Sequence, residues 1–444
     1  MSGSNSYKLV IISDLHLSEG WDEKGYLSRI EDFFFDTNFK RFLEYLSRKT
    51  EEGRFYYRLI IDGDLVDFLQ FITVPEKGVI RGETLTKRER KLGPGTSTGK
   101  TLWKLERLIN GHKVLFSALS DFIAKGNELF IICGNHDIEW LMPEVQEAFK
   151  KRISDLHKPP NPIEDRINFL TWFYYDPLLS IFSEHGSQYD DLNSFDYLLC
   201  PYRKDGSIDL PAGSFFVRYL FNRVEEIYPF ADNMKPQSRF LLWALFRLKT
   251  YGGWPPRIFK FVQFFLDTLG KGGPVEESWA QELDKRQRQE IEKLAVISGI
   301  AESKLLELKK SWVPSVLHHK SSFGLAFRFF KNLGLDKYYY RERAKKVQEI
   351  LGTRYVIFGH THEADMWMLS IMPDGKKSEF INSGSWTKMF AENYEEALLR
   401  EENEFVYVHI GYDEKKQDIK MDLMRWNDSL GEGERVRLFK SSEG

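Results

Sequence analysis

The feature that most constrains this chain is a set of apolar runs that each stop abruptly at polar residues of one chemical kind. Val10-Ile11-Ile12 leads to Asp14-Leu15-His16, Leu59-Ile60-Ile61 to Asp62-Gly63-Asp64, and Leu129-Phe130-Ile131-Ile132-Cys133 to Gly134-Asn135-His136-Asp137. Further on, Ile181-Phe182-Ser183 leads to His185-Gly186, and Tyr355-Val356-Ile357-Phe358 to Gly359-His360-Thr361-His362. A short apolar run bounded by Gly reads as a buried strand, and the far ends of such strands open on a cleft. Ends that each deliver a carboxylate, an imidazole or a carboxamide predict one polar site assembled from distant parts of the chain.

Asp14 and His16 alternate by two, so both can face one side at a strand's end, and His360 and His362 repeat that spacing. With Asp64, Asn135 and His185 the candidate ligands outnumber the positions around one tetrahedral ion, and suit two ions that share a carboxylate. A mixed oxygen and imidazole set favours Mn first, then Fe, Zn, Co or Ni. Two cations roughly 3.5–4 Å apart can hold a phosphoryl group, acidify a bridging water and stabilise a leaving oxygen.

In chain order, Asp-x-His, Gly-Asp-x-x-Asp, Gly-Asn-His-Asp, His-Gly and Gly-His-x-His resemble the motifs of the calcineurin-like metallophosphoesterase superfamily, over residues 7–186 and 351–425. The resemblance implies an α/β fold, a four-layer sandwich of two mixed β-sheets flanked by helices, with the site at the strand ends. It implies Asp14, His16 and His362 on one metal ion, Asn135, His185 and His360 on the other, and Asp64 bridging them. His136 would face the scissile phosphate and protonate the leaving oxygen, and Asp67 would pair with His136 and hold its tautomer. Asp137 and Phe68 stand where phosphoprotein phosphatases carry Glu and Arg, and no subfamily pattern fits. The expected substrate is a phosphate ester, small or lipid-linked, with phosphodiester, pyrophosphate and phosphomonoester bonds all open.

His185 and His360 are 175 residues apart, too far for a connection within one layer. The interval carries aromatic residues at helical spacing, among them Phe215, Phe216 and Tyr219, then Phe240, Trp243 and Ala244, then Phe259, Val262 and Phe265. We read 201–350 as a mostly helical insertion or lid between core segments 7–200 and 351–430, with 431–444 a flexible tail. The insertion holds 26 Lys+Arg against 17 Asp+Glu, a balance of +9 inside a chain of net charge −3. That asymmetry opens a second reading, a scaffold or binding protein whose basic, aromatic segment 205–350 docks a peripheral membrane or protein partner. There is no strong nucleic-acid signal in the whole-chain charge, and oligomeric state is not legible.

Residues 73–100 read as a long loop bordering the site. Within it, Gly95 to Thr101 imitates a phosphate-cradling loop. The glycines are one residue too close, and no strand precedes them, so it is set aside. Thr101 to Lys125 reads as helical, split near Gly111. The strand-like runs 365–372, 379–383, 405–411 and 418–425 are expected to form a meander completing the second sheet. Cys133 and Cys200 are the only cysteines, which fits a reducing compartment. No signal-peptide pattern or spanning apolar stretch is evident, so the expected location is the cytoplasm or its membrane surface. His112, His157, His318, His319 and His409 are left outside the site as histidines of the core or surface.

Overall fold

The computed structural model describes residues 6–53, 55–157, 162–218, 222, 234–235, 276–315, 337–387, 390–391, 405–413 and 417–436. Its strands are β1 (Ser6–Ile12), β2 (Phe55–Asp62), β3 (Val79–Ile80), β4 (Glu83–Thr84), β5 (Glu128–Ile132), β6 (Ile167–Leu170), β7 (Phe173–Asp176) and β8 (Ile181–Glu184). They continue as β9 (Met234–Lys235), β10 (Tyr355–Phe358), β11 (Asp365–Ile371), β12 (Lys377–Asn382), β13 (Phe390–Ala391), β14 (Phe405–Asp413), β15 (Asp418–Asn427) and β16 (Glu432–Arg435). The helices of the first part are α1 (Asp36–Gly53), α2 (Glu89–Leu92), α3 (Thr98–Gly111), α4 (Lys113–Ala124) and α5 (Pro143–Leu156).

The chain divides into two compact units. One comprises Met1–Gly186, Ala344–Lys388 and Asn403–Gly444; the other comprises Ser187–Arg343 and Met389–Glu402. The first unit contains two mixed sheets. In the larger, the order is β16-β15-β14-β1-β2-β5-β6, with β1, β2, β5 and β6 parallel; in the smaller it is β11-β12-β10-β8-β7. Parallel strands wound through helices are buried on both faces, which is why their sequences read as unbroken apolar runs. Leu9, Ile11, Ile60 and Ile132 of the larger sheet pack with Ile181, Tyr355, Ile357 and Ile381 of the smaller in one core. The alternate residues Val10, Ile12, Leu59 and Ile61 are equally buried, on the opposite face. Along α1, Phe39, Phe42, Leu43 and Leu46 recur at helical spacing and are buried, and Phe42 meets Tyr407, Trp426 and Trp386. Pro143 opens α5, where a missing N–H costs nothing.

Three expectations are corrected here. The four late runs do not form one meander. β11 and β12 join the smaller sheet, whereas β14 and β15 extend the larger one, because β14 pairs antiparallel with the otherwise free edge of β1 (Leu9 with Ile410, Ile11 with Val408). Nor does the chain leave the fold at Leu430: β16 adds an edge strand on β15 through residue 435. Segment 73–100 is also more ordered than a bare loop, with the β3–β4 hairpin and α2. Its organiser is Glu89, which accepts hydrogen bonds from Thr86 and Gly95 and pairs with Lys100 at 2.6 Å. The lysine of the imitation phosphate loop is thus held by a carboxylate.

In the second unit, a short helix α6 (Ala212–Phe216) precedes helices Glu277–Ser298 and Glu302–Lys310, and β9 pairs with β13. Leu283, Ile291, Leu305 and Leu308 are its buried apolar positions on those two helices. The aromatic stripes expected at 219–224, 240–248 and 259–266, like His318 and His319, lie outside the described residues, as do the side chains of Phe215 and Phe216.

His112, between α3 and α4, is a structural ion-pair centre. Its Nδ1 lies 3.2 Å from both oxygens of Asp36 and its Nε2 lies 3.3 Å from Glu31, which also accepts from the backbone of Gly20 at 2.7 Å. Burial opposes charging this imidazole, but Glu31 and Asp36 prevail and push its pKa up to about 10. A folded-state pKa above the unfolded one gives stability that is complete below about 6.5 and lost as pH rises toward about 10. Replacing His112 with Gln is expected to cost ~3–5 kcal/mol near pH 6. Urea denaturation should show that difference shrinking as pH is raised through this window.

Candidate metal centre

The site is built where the parallel strands end. In the larger sheet, β1 runs out at Ile12, β2 at Asp62 and β5 at Ile132; in the smaller, β8 runs out at Glu184 and β10 at Phe358. The loops that follow carry Asp14 and His16, Asp64 and Asp67, Asn135 and His136, His185, and His360 and His362. The structure therefore brings together every residue expected in the site.

Two donor sets stand side by side. In one, His362 Nε2 is 3.2 Å from both His16 Nε2 and Asp14 Oδ1, and His16 Nε2 is 3.8 Å from Asp14 Oδ1. In the other, His185 Nε2 is 3.1 Å from both Asp64 Oδ2 and Asn135 Oδ1, and His360 completes a cluster with Asp64 and His185 close enough to hold one ion. Asp64 Oδ2 is also 3.8 Å from His16 Nε2, so this carboxylate reaches both sets. His136, His16 and Asp64 form a third overlapping group. His136 could thus donate to an ion on distance alone, but its Nδ1 is taken by Asp67 Oδ2 at 2.5 Å.

The surroundings aim these side chains. His185 Nδ1–H donates to the Asp62 carbonyl at 2.9 Å, which leaves Nε2 as the free lone pair. Asp67 Oδ2 lies 3.6 Å from His16 Nδ1, so one carboxylate orients two rings. Asp137 accepts from the backbone N–H of Gly134 (2.7 Å) and Val66 (3.3 Å) and from Trp140 Nε1 (3.0 Å), pinning the β2 and β5 loops together. Asp62 and Asp137 thus support the loops that carry the donors. The backbone of Trp386 and the hydroxyl of Ser385 both donate to the Asp14 carbonyl, a support that sequence reasoning missed. Its only signal was the cluster Ser383-Gly384-Ser385-Trp386 just past a strand.

Backbone strain is concentrated here. Asp14, His16, Asp64, His360 and His362 all have positive φ, between 52° and 67°. Each such residue costs about 1–3 kcal/mol, which marks the loops as shaped for function. Asp64 also excludes side chains around it. A Cβ on Gly134 would sit 2.0 Å from Asp64 Oδ1, and one on Gly63, itself at φ 82°, would sit 2.2 Å from His185 Nδ1.

The electrostatics follow from burial and crowding. Burial pushes the carboxyl of Asp64 up, but His185 and His136 hold it far below the usual carboxylate range. Asp14 behaves alike, raised by burial and pulled well down by His362 and His16. Burial works against charge on His185, yet Asp64, Asp14 and Asp62 push it up to about 10. His16 is raised well above its ordinary value by Asp14 and Asp67 against the same burial. Buried carboxylates that hold imidazoles so strongly in the charged form are equally a field for divalent cations.

The donor set fits such cations on its own terms. Asp14 Oδ1 is buried and accepts no hydrogen bond, while its partner oxygen accepts from the His360 backbone N–H at 3.0 Å. Together the clusters are consistent with a binuclear metal site.

The family model for calcineurin-like phosphoesterases matches residues 7–209. Over that span, a little under half of its length, the chain is similar to the calcineurin-like metallophosphoesterase superfamily. Its two mixed sheets flanked by helices agree with that superfamily's fold, and hydrolase activity of the metallophosphoesterase kind agrees with its metal-type clusters. The matched span holds Asp14, His16, Asp64, Asp67, Asn135, His136 and His185. His360 and His362 lie beyond it, and the fold brings them into the same His/Asp clusters. No curated protein matches the chain.

The remaining histidines stay apart. His157 pairs with Asp121 at 2.8 Å on the surface, and His409 is a half-buried residue of β14. Arg81 pairs with Glu106 at 2.5 Å, and Arg90 Nε donates to the Leu85 carbonyl at 3.3 Å. Among the described residues no helix is long and apolar enough to cross a membrane.

Replacing Gly134 with Ala is expected to drive Asp64 from its place. The variant should lose ~1–3 kcal/mol of stability and most of its metal uptake, measured by thermal melting and by metal analysis after dialysis.

Proposed function

We propose that this protein is a two-metal phosphohydrolase that cleaves a phosphodiester, pyrophosphate or phosphomonoester bond in a small or lipid-linked molecule. The observation that carries the reading is the sharing of Asp64 between two donor sets beside the Asp67–His136 pair. In this reading Asp14, His16 and His362 would hold one ion and Asn135, His185 and His360 the other, with Asp64 within reach of both sets. The oxygen and imidazole donors suit manganese first, then iron, zinc, cobalt or nickel. When bound, such ions supply positive charge that polarises a phosphoryl group and acidifies water.

The chain's own residues supply position and a proton. Burial disfavours a charged His136, but Asp67 and Asp64 raise its pKa above the ordinary imidazole value. Asp67 receives Nδ1–H, which fixes the ring and leaves the other nitrogen to serve as general acid toward a leaving oxygen. His16, turned by the same Asp67, directs Nε2 to Asp14 and Asp64.

Hydrolysis of a nitrophenyl phosphodiester and its monoester tests the reading. Turnover should vanish on chelation and return with Mn²⁺, and Asp64→Asn should abolish that recovery. His136→Ala should lower kcat by ~10²–10⁴ while two ions remain bound. Metal-loaded protein that turns over neither ester would overturn the reading.

A second reading, peripheral membrane contact through 205–350, is supported by the +9 balance of the 201–350 insertion and by the exposure of Val296 and Ile297 at the end of helix Glu277–Ser298. The full chain should then bind anionic vesicles at low salt and release them as salt is raised. Sedimentation with such vesicles checks this. The two buried, unpaired cysteines support a cytoplasmic location.

A further inference from the structure

Strand β11 is an edge of the smaller sheet, yet it is apolar and open to solvent. Met366, Trp367, Met368 and Ile371 are 39%, 44%, 49% and 59% exposed. Edge strands are ordinarily guarded by lysine, proline or charge, and an unguarded one calls for something to cover it. In β11 only Asp365 and Ser370 are polar.

Its position points to what covers it. Asp365 pairs with Asn382, which also pairs with Phe358, the last residue of β10. The Asn382 amide donates to the Gly359 carbonyl at 2.8 Å, beside His360. The apolar row therefore starts at the metal-site end of the sheet and runs away from it. Met366 lies opposite Ile381, a residue of the core between the sheets, and Ala364 packs on that core. Met366 and Met368 thus carry the core's inner face outward to the sheet edge. From Met366 to Ile371 the row spans about 17 Å at ~3.4 Å per residue.

A peptide strand is a poor occupant. The register of β11 shifts between Met368 and Ser370, and such a bulge interrupts the row of backbone groups that an added strand would pair with. What the strand offers is side chains, and unbranched methionines adapt to a flexible hydrocarbon. Building on the phosphohydrolase reading, we propose that the site acts on phosphodiesters bearing a linear apolar tail, and that the tail lies along Met366 and Met368.

The test compares nitrophenyl methyl and nitrophenyl octyl phosphodiesters with the full-length protein in Mn²⁺, below the micelle concentration. Burying a methylene fully is worth about fourfold, and a half-open shelf about twofold, so kcat/KM should favour the octyl ester by on the order of a hundredfold. In Met366→Gln/Met368→Gln that preference should fall by roughly tenfold, since these exposed positions lose their apolar surface. Equal kcat/KM for the two esters, or an unchanged preference in the double variant, would overturn the tail site while leaving the hydrolase standing. Turnover of neither ester by metal-loaded protein would overturn the hydrolase and the tail site together. A dimer that forms with concentration and is lost in the double variant would assign the strand to a second copy instead.

Discussion

The structure depends on keeping the carboxylate of Asp64 inside the protein. Only about 1% of this residue is exposed. A charge held there needs compensation from close, well-aimed partners, and burial alone would drive it to the neutral acid. His185 at 3.1 Å, His16 at 3.8 Å and the backbone N–H of His136 at 2.9 Å provide the compensation. Much else follows from that need. Gly134 has no side chain because Asp64 occupies the space, and several site residues adopt left-handed backbone conformations so that their side chains turn back over the strand ends. A strained loop is tolerated where neighbouring strands over-determine it, and the ends of β1, β2 and β5 that lead into these loops are fully buried.

The same economy shows in the histidines. Each imidazole has one nitrogen to be satisfied by protein and one to be left for chemistry. His185 gives Nδ1–H to a backbone carbonyl, His136 gives its own to Asp67, and His16 turns Nδ1 toward that same carboxylate. His112 shows the alternative. With carboxylates at both nitrogens it has no free lone pair, so it serves as a strut between a loop and two helices.

The site was more legible in the sequence than the topology was. Strand ends with Gly and metal-type ligands are a local signal, so Asp14, His16, Asp64, Asn135, His185, His360 and His362 could be picked out before any contact was known. The destination of β14 and β15 was not local. Alternating apolar residues such as Val406, Val408 and Ile410 say that a strand has a buried face, and nothing about whose edge it joins. The order within 73–100 was hidden for a related reason: Glu89 organises it through backbone N–H groups, and those have no sequence signature. The support of the Asp14 carbonyl by Ser385 and Trp386 links positions roughly 370 residues apart and was beyond any spacing argument.

The pairing of β1 with both β2 and β14 has a consequence for how the protein is made. Leu9 finds its first neighbour in Arg58 but its second only in Ile410. At about 5–20 residues per second, a ribosome takes on the order of 20–80 s to cover that interval. Throughout it the growing chain carries an unpaired strand edge in the middle of its future sheet, with a row of isoleucines facing water. His360 and His362 arrive only near the end of the same interval. The nascent chain therefore exposes an unpaired strand edge until β14 is made, and it cannot assemble its full set of donors until residue 362 has been added.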